Sequence, residues 1–549
     1  MLRRVKYRST FAAFLLVCLI SIVHTSCVDK HTTLNPHTVF RLNMSTGLES
    51  LDPAYAKDLY IMWAVHMVYN TLVETDEHCT LQPSLAKRWV VSDDGLSYTF
   101  YLRNDIYFQD NEVFPDGRGR RMTAADVAYS FRRLSLPATA SPGAWIFNGR
   151  VSASDAFTAI DDTTFTIHLS KPFRPLPEIL SMPYCSIVPH EAVERWGKDY
   201  RRHPCGTGPF QYYYWDEGNV LVLHKNPHYW EKDSNNRQLP YVDAVQATFV
   251  DTKAVEFLLF MQHKIDFINS IDRTFKDLLL QKNGVLKREY ASKFHITKGV
   301  YLNTEYIGLL TDSSIAVAKQ SPLKNVLVRR AINYAIDRKK IITYFRNGIG
   351  MPATGGFIPP GTPGFDTIAA YGYNYDPARA SELLKIAGYP GGKGLPDITV
   401  QTPDNFSDIV SFVATELKDI GVNMNVEVMQ PSILKQQMSR SRSVAFRAQW
   451  LADYPDAETF LAFFYSHYPA PPNYTRYHND FYDEWYEESL HAPDVQRHIL
   501  YRNMDSLAIQ DAPVIPLFYD QLVHLTGNNI YGFRSNPMNL IDLKHVRVQ

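Results

Sequence analysis

The chain has 549 residues, 45% hydrophobic and 21% charged, which excludes a disordered protein and gives length for about three or four domains. Lys and Arg total 56 against 57 Asp and Glu, so the formal charge of −1 disfavours a protein that grips nucleic acid by its phosphates. Aromatic residues reach 13%, an excess that fits either large cores or a recognition surface.

Residues 1–8 carry Arg3, Arg4, Lys6 and Arg8, and residues 11–23 are almost wholly apolar. A basic start and a short apolar run followed by small polar residues describe a secretory signal peptide over residues 1–26. The run is shorter than the ~20 residues of a transmembrane helix. Cys27 then becomes a candidate lipidation site, although His24 stands where lipoprotein signals usually carry Leu. Removing residues 1–26 takes away four positive charges and leaves a mildly acidic chain. Export puts Cys79, Cys185 and Cys205 in an oxidising compartment, where one bridge and one free thiol are possible in any pairing.

Residues 58–70 suit a buried helix. Residues 89–108 read as a hairpin turning at Asp94-Gly95, with Tyr98, Phe100 and Leu102 on one face. Thr123 and Asp126 mark a helix start, and Val127, Phe131 and Leu134 follow at helical spacing. Residues 163–169 alternate like a strand, and 206–230 read as two strands around Asp216-Glu217-Gly218. A helix is expected over 322–346, a Gly- and Pro-rich loop over 348–364 and a helix over 377–388. Strands at 398–401, 422–428 and 444–450 with a helix at 407–420 complete an α/β pattern with mixed sheets.

Motifs for catalysis and metals are absent. There is no G-x-x-x-x-G-K-[ST], H-E-x-x-H or G-x-S-x-G. His224 and His228 are four apart, but Pro227 between them argues against a helix presenting both to one metal. The basic loop Asp116–Arg121 reads as a solvated loop, not an anion site. What remains is an exported α/β receptor for a small ligand: no enzyme, no cofactor and no metal.

Several blocks sharpen this. They are Leu81–Arg103, Met122–Arg132, Gly206–Phe210 (GTGPF), Asn226–Trp230, Val328–Asp337, Ile358–Gly361, Tyr375–Gly388, Leu417–Val422, Trp450–Leu461 and Ala512–Leu517. In this order they resemble the extracytoplasmic peptide-binding proteins of bacterial ABC transporters, the oligopeptide- and dipeptide-binding family. Residues 111–121 look longer than that family's usual turn, and Asn325 stands where an Asp is common. The resemblance implies a bilobal periplasmic-binding-protein fold. Residues 27–57, 185–299 and 511–549 would form lobe I, 58–184 a subdomain inserted in it, and 300–510 lobe II. The crossovers would lie near Gly299–Leu310 and Pro516–Leu525.

The same resemblance implies a monomeric receptor, in the periplasm or on the outer face of the cytoplasmic membrane, that passes short peptides to ABC permease subunits. Asp453 of the W-x-x-D motif would meet the peptide ammonium, with Trp450 and Tyr454 beside it and Arg447 on the carboxyl terminus. That chemistry is sound: a buried ammonium needs a carboxylate, and a guanidinium fork suits a carboxylate. Thr46–Leu51 is the expected strand edge for the ligand backbone. The same fold with a murein-derived peptide, a nickel chelate, haem or a sugar is the alternative.

Overall fold

A computed structural model describes residues 38–151, 155–365 and 371–549. The expected signal segment and Cys27 lie outside the described residues. Among those residues no helix is long and apolar enough to cross a membrane.

The first lobe is built on a four-stranded sheet in the order Val39–Asn43, Ala244–Thr248, Val220–Lys225, Phe210–Asp216. Its first pair is parallel and the others antiparallel. Helix Leu59–Val68 packs with this lobe: the Trp63 indole donates to the Asn539 carbonyl at 2.7 Å and meets the Phe267 ring edge-on. Its end is gripped by the GTGPF block. A Cβ on Gly206 would lie 2.3 Å from the Val68 carbonyl oxygen, so only glycine allows the approach.

The inserted segment forms a second four-stranded antiparallel sheet, in the order Ala86–Val91, Ser97–Leu102, Thr164–His168, Phe157–Asp161. The Asp94-Gly95 turn is where the spacing predicts it, with Gly95 at φ 69°. Tyr98, Phe100 and Leu102 are all buried, as alternation requires. Helix Ala124–Ser135 covers this sheet, and its start is fixed by the Asp126 carboxylate accepting from the Thr123 N–H at 2.8 Å. Phe131 packs on Phe147, Phe157 and Phe165; truncating so buried a ring costs about 3–5 kcal/mol. This core is continuous with that of the first lobe. Arg120 of the basic loop binds Asp126 and Glu191 at 2.6 and 2.5 Å, which pins the loop to the helix.

A large mixed sheet joins the lobes. Its order is Phe267–Asn269, Val514–Gly527, Phe294–Leu309, Ala445–Leu451, Ile398–Thr402, Met424–Val428, with Met351–Pro352 added beside Val514–Gly527. The segments expected to cross between the lobes fall on two long strands, Phe294–Leu309 and Val514–Gly527. They pair antiparallel, and their register breaks between Val300 and Thr304 and again between Glu305 and Tyr306. Helices Val326–Tyr334, Pro377–Ile386 and Ser407–Lys418 are packed with the second-lobe part of this sheet in one core, and the Trp450 side holds a second, aromatic one.

Two expectations are corrected. The helix over 322–346 is broken after Tyr334, because Asp337 caps a new turn through the N–H groups of Lys339 and Lys340. The buried Arg338 then donates to the Pro516 and Asn333 carbonyls. Thr46–Leu51 is not a strand: the first-lobe strand ends at Asn43, and the segment beyond it is irregular. Asn325, unusual for the expected pattern, caps its helix by accepting from the Leu327 N–H at 2.9 Å.

Candidate functional site

The inserted subdomain and the second lobe face each other across a cavity of about 770 Å³. Trp145 and Arg150 line one side; Trp450, Asp453, Tyr454, Glu458 and Tyr468 line the other. Three of the four residues expected from the sequence therefore meet in one place.

Strand Ala445–Leu451 ends just before this cavity, and the turn after it carries Asp453. The turn is stapled to the helical stretch that follows. The Trp450 indole donates to the Thr459 carbonyl at 2.8 Å, and the Asp453 N–H donates to the Thr459 hydroxyl at 3.3 Å. Asp456 accepts from the Glu458 N–H at 2.8 Å and the Tyr501 hydroxyl at 3.0 Å, and pairs with Arg497 at 3.1 Å. These bonds fix the backbone that carries Asp453 before any ligand arrives, which lowers the entropy lost on binding.

The Asp453 side chain is open to water, yet protein atoms surround it on most sides within the cleft. The surface exposure says that a ligand can reach it; the crowding governs its electrostatics. Desolvation, aided by the nearby Glu458, pushes its carboxyl up to about 6. No side chain among the described residues hydrogen-bonds or ion-pairs with that carboxylate. Glu458 differs: it accepts from the Tyr454 and Tyr486 hydroxyls, and burial raises its carboxyl. Tyr454 also stacks on Trp145 across the cavity, with ring centres 6.3 Å apart.

Arg447 is not in the cavity. It lies three residues before Trp450 on one strand, and side chains alternate along a strand, so the two point to opposite faces of the sheet. Its guanidinium pairs with Glu305 on the neighbouring strand and rests over the Phe406 ring. Only 5% of Arg447 is exposed. Its expected place on the ligand's carboxyl terminus has no support in this geometry.

Sequence reasoning missed Trp145, Arg150 and Tyr468. The first two sit in a short 3₁₀ stretch and the loop after it, outside any periodic element. Glu458 falls inside the Trp450–Leu461 block, so its position was available there.

A second cavity, of about 270 Å³, lies around Lys544, whose ammonium binds Glu231 at 2.8 Å and Glu74 at 3.5 Å. Lys544 is thus engaged by carboxylates of the protein itself, which suits a structural network. Cys79, Cys185 and Cys205 are all unpaired and buried, so the possible bridge does not form.

Residues 80–471 match the model of the bacterial extracellular solute-binding proteins, family 5. The chain belongs to that family. It is 27% identical over 503 residues to the glutathione-binding protein GsiB of Escherichia coli O1:K1, covering 90% of this chain and 91% of that one. Its structure matches the ABC transporter-associated periplasmic binding protein DppA of Helicobacter pylori in complex with the peptide STSA, with a TM-score of 0.72 and 25% identity over 93% of this chain and 97% of that one. The murein tripeptide binding protein MppA of Escherichia coli shares the fold, with a TM-score of 0.69 and 22% identity over 94% and 99%. The molecule is thus a bilobal α/β solute-binding protein.

Proposed function

We propose that this protein is an exported receptor that binds short peptides between its lobes and delivers them to an ABC importer, without catalysing a reaction. The carrying observation is the Asp453 carboxylate, unpaired and partly desolvated in an interlobe cavity walled by Trp450, Tyr454 and Trp145. A desolvated carboxylate without a partner is costly, and a peptide ammonium supplies the missing charge and donors. The aromatic walls suit the first side chain without demanding one sequence.

The register shift between the two long strands, where their direct ladder is interrupted from Val300 to Thr304, is the place we assign to rotation of the lobes. Closure about it would bury the ligand. The signal segment and Cys27 fit export, with or without a lipid anchor, and a monomer suffices for the site.

Calorimetry on the mature chain with trialanine tests this reading. The wild type binds, and Asp453→Asn weakens binding by about 2 kcal/mol or more, roughly thirty-fold. Unchanged affinity in the variant would remove Asp453 from the role.

A further inference from the structure

The peptide reading leaves one charge in the cavity without a purpose. Arg150 faces the same space as Asp453. It is held in place: one guanidinium nitrogen, Nη1, donates to the carbonyls of Trp145 and Ile146 at 2.8 and 3.1 Å. The guanidinium also lies 4.4 Å from the centre of the Phe173 ring. The rotamer freedom that a surface arginine retains is thus already restricted.

Among the described residues, Arg150 forms no ion pair. Its Nε–Nη2 edge, the geometry that receives a carboxylate in a two-pronged fashion, has no acceptor there. Glu458 is near enough to feel its charge, but those carboxylate oxygens are taken by Tyr454 and Tyr486. The same Glu458 is the acid closest in influence to Asp453. Arg150 lies 5.7 Å from the centre of the Trp145 ring, and Trp145 stacks on Tyr454, the chain neighbour of Asp453, so the two unpaired charges flank one part of the cavity. A tripeptide's own carboxyl terminus is about 7 Å or more further along the extended chain.

We propose that Arg150 is a specificity determinant for ligands whose first residue carries a carboxylate as well as its ammonium. The proposal rests on the peptide reading. Two sources give that chemistry: an amino-terminal acidic side chain in an ordinary peptide, and the free α-carboxylate of a glutamyl residue joined through its side chain.

Calorimetry at neutral pH with Glu-Ala-Ala, γ-Glu-Ala-Ala and Gln-Ala-Ala separates these possibilities. The wild type is expected to prefer at least one of the two acidic ligands over Gln-Ala-Ala by about ten-fold or more. The favoured ligand identifies the source of the carboxylate. In Arg150→Gln the ratio of the affinities for the acidic ligand and Gln-Ala-Ala should fall to about one; Arg150→Lys, which keeps the charge without the fork, should retain part of the preference. Gln-Ala-Ala binding with no acidic preference in the wild type overturns the role of Arg150 and leaves the peptide reading standing. A preference that survives in Arg150→Gln overturns it too. Failure of all three to bind the wild type overturns both readings.

Discussion

Arg447 and Glu305 form a buried ion pair across two neighbouring strands, on the face of the sheet turned away from Trp450. Glu305 stands opposite Gln449, two residues along from Arg447, so the pair is a diagonal one on a single face. The arginine is therefore engaged within the protein where one strand crosses between the lobes.

Removing either partner leaves the other charged and buried. Arg447→Ala and Glu305→Ala should each lower the unfolding free energy by about 3–5 kcal/mol, read by urea denaturation. A double replacement by leucine should recover most of that loss. If Arg447 were idle on the surface, its single replacement would cost less than about 1 kcal/mol.

Asp453 sets the pH range of binding. Its carboxyl titrates near 6, and a peptide ammonium near 8. Affinity for a free peptide should fall as the pH drops through 6 and again as it rises past about 8, giving a maximum between them. In Asp453→Asn the acid limb should vanish while the alkaline limb stays.

Stability follows with a fixed sign. The folded value of Asp453 is raised above its ordinary 3.8, so its contribution is full below that value and lost as the pH rises through 6. The ligand-free wild type should therefore melt at a lower temperature than Asp453→Asn at pH 7.5, with the difference shrinking on acidification toward pH 4. Thermal scans of both proteins without peptide check this.

Asp456 carries the turn that aims Asp453. Replacing it with alanine releases the Glu458 N–H and the Tyr501 hydroxyl and strips the buried Arg497 of a carboxylate. Asp456→Ala should cost about 3 kcal/mol or more in unfolding free energy. Peptide affinity should fall as well, although the residue touches no ligand. Loss of stability with unchanged affinity would show that the staple does not position Asp453.

The thiols offer a check on the fold. Burial pushes the Cys79 thiol up to about 12 and raises those of Cys185 and Cys205 further. Thiolate is the reactive form, so alkylating reagents should leave all three unmodified in the native protein and label all three in denaturant without prior reduction. Peptide mass spectrometry reads the outcome at each site.

Much of this was legible beforehand because it rests on local rules. Gly95 marks a turn, Thr123 and Asp126 mark a helix start, and alternation at Tyr98, Phe100 and Leu102 marks a buried strand face. The aromatic excess also resolves into packing: Tyr98, Phe100, Phe210, Tyr229 and Phe460 are buried. The site was half legible. Trp450, Asp453 and Tyr454 sit in one short block, so their proximity follows from sequence distance. Arg447 misled for the same reason: nearness in sequence does not reveal the side of the strand. Trp145 and Arg150 come from a segment some 300 residues away, and only tertiary packing brings them opposite Asp453.

The most direct test of the central claim is calorimetry of the wild-type mature chain at pH 7 with trialanine and with its amino-acetylated form. If the Asp453 carboxylate receives the peptide ammonium, acetylation removes the charge and two of its donors, and affinity should fall about a hundred-fold. Equal affinity for the free and acetylated peptides would contradict the account.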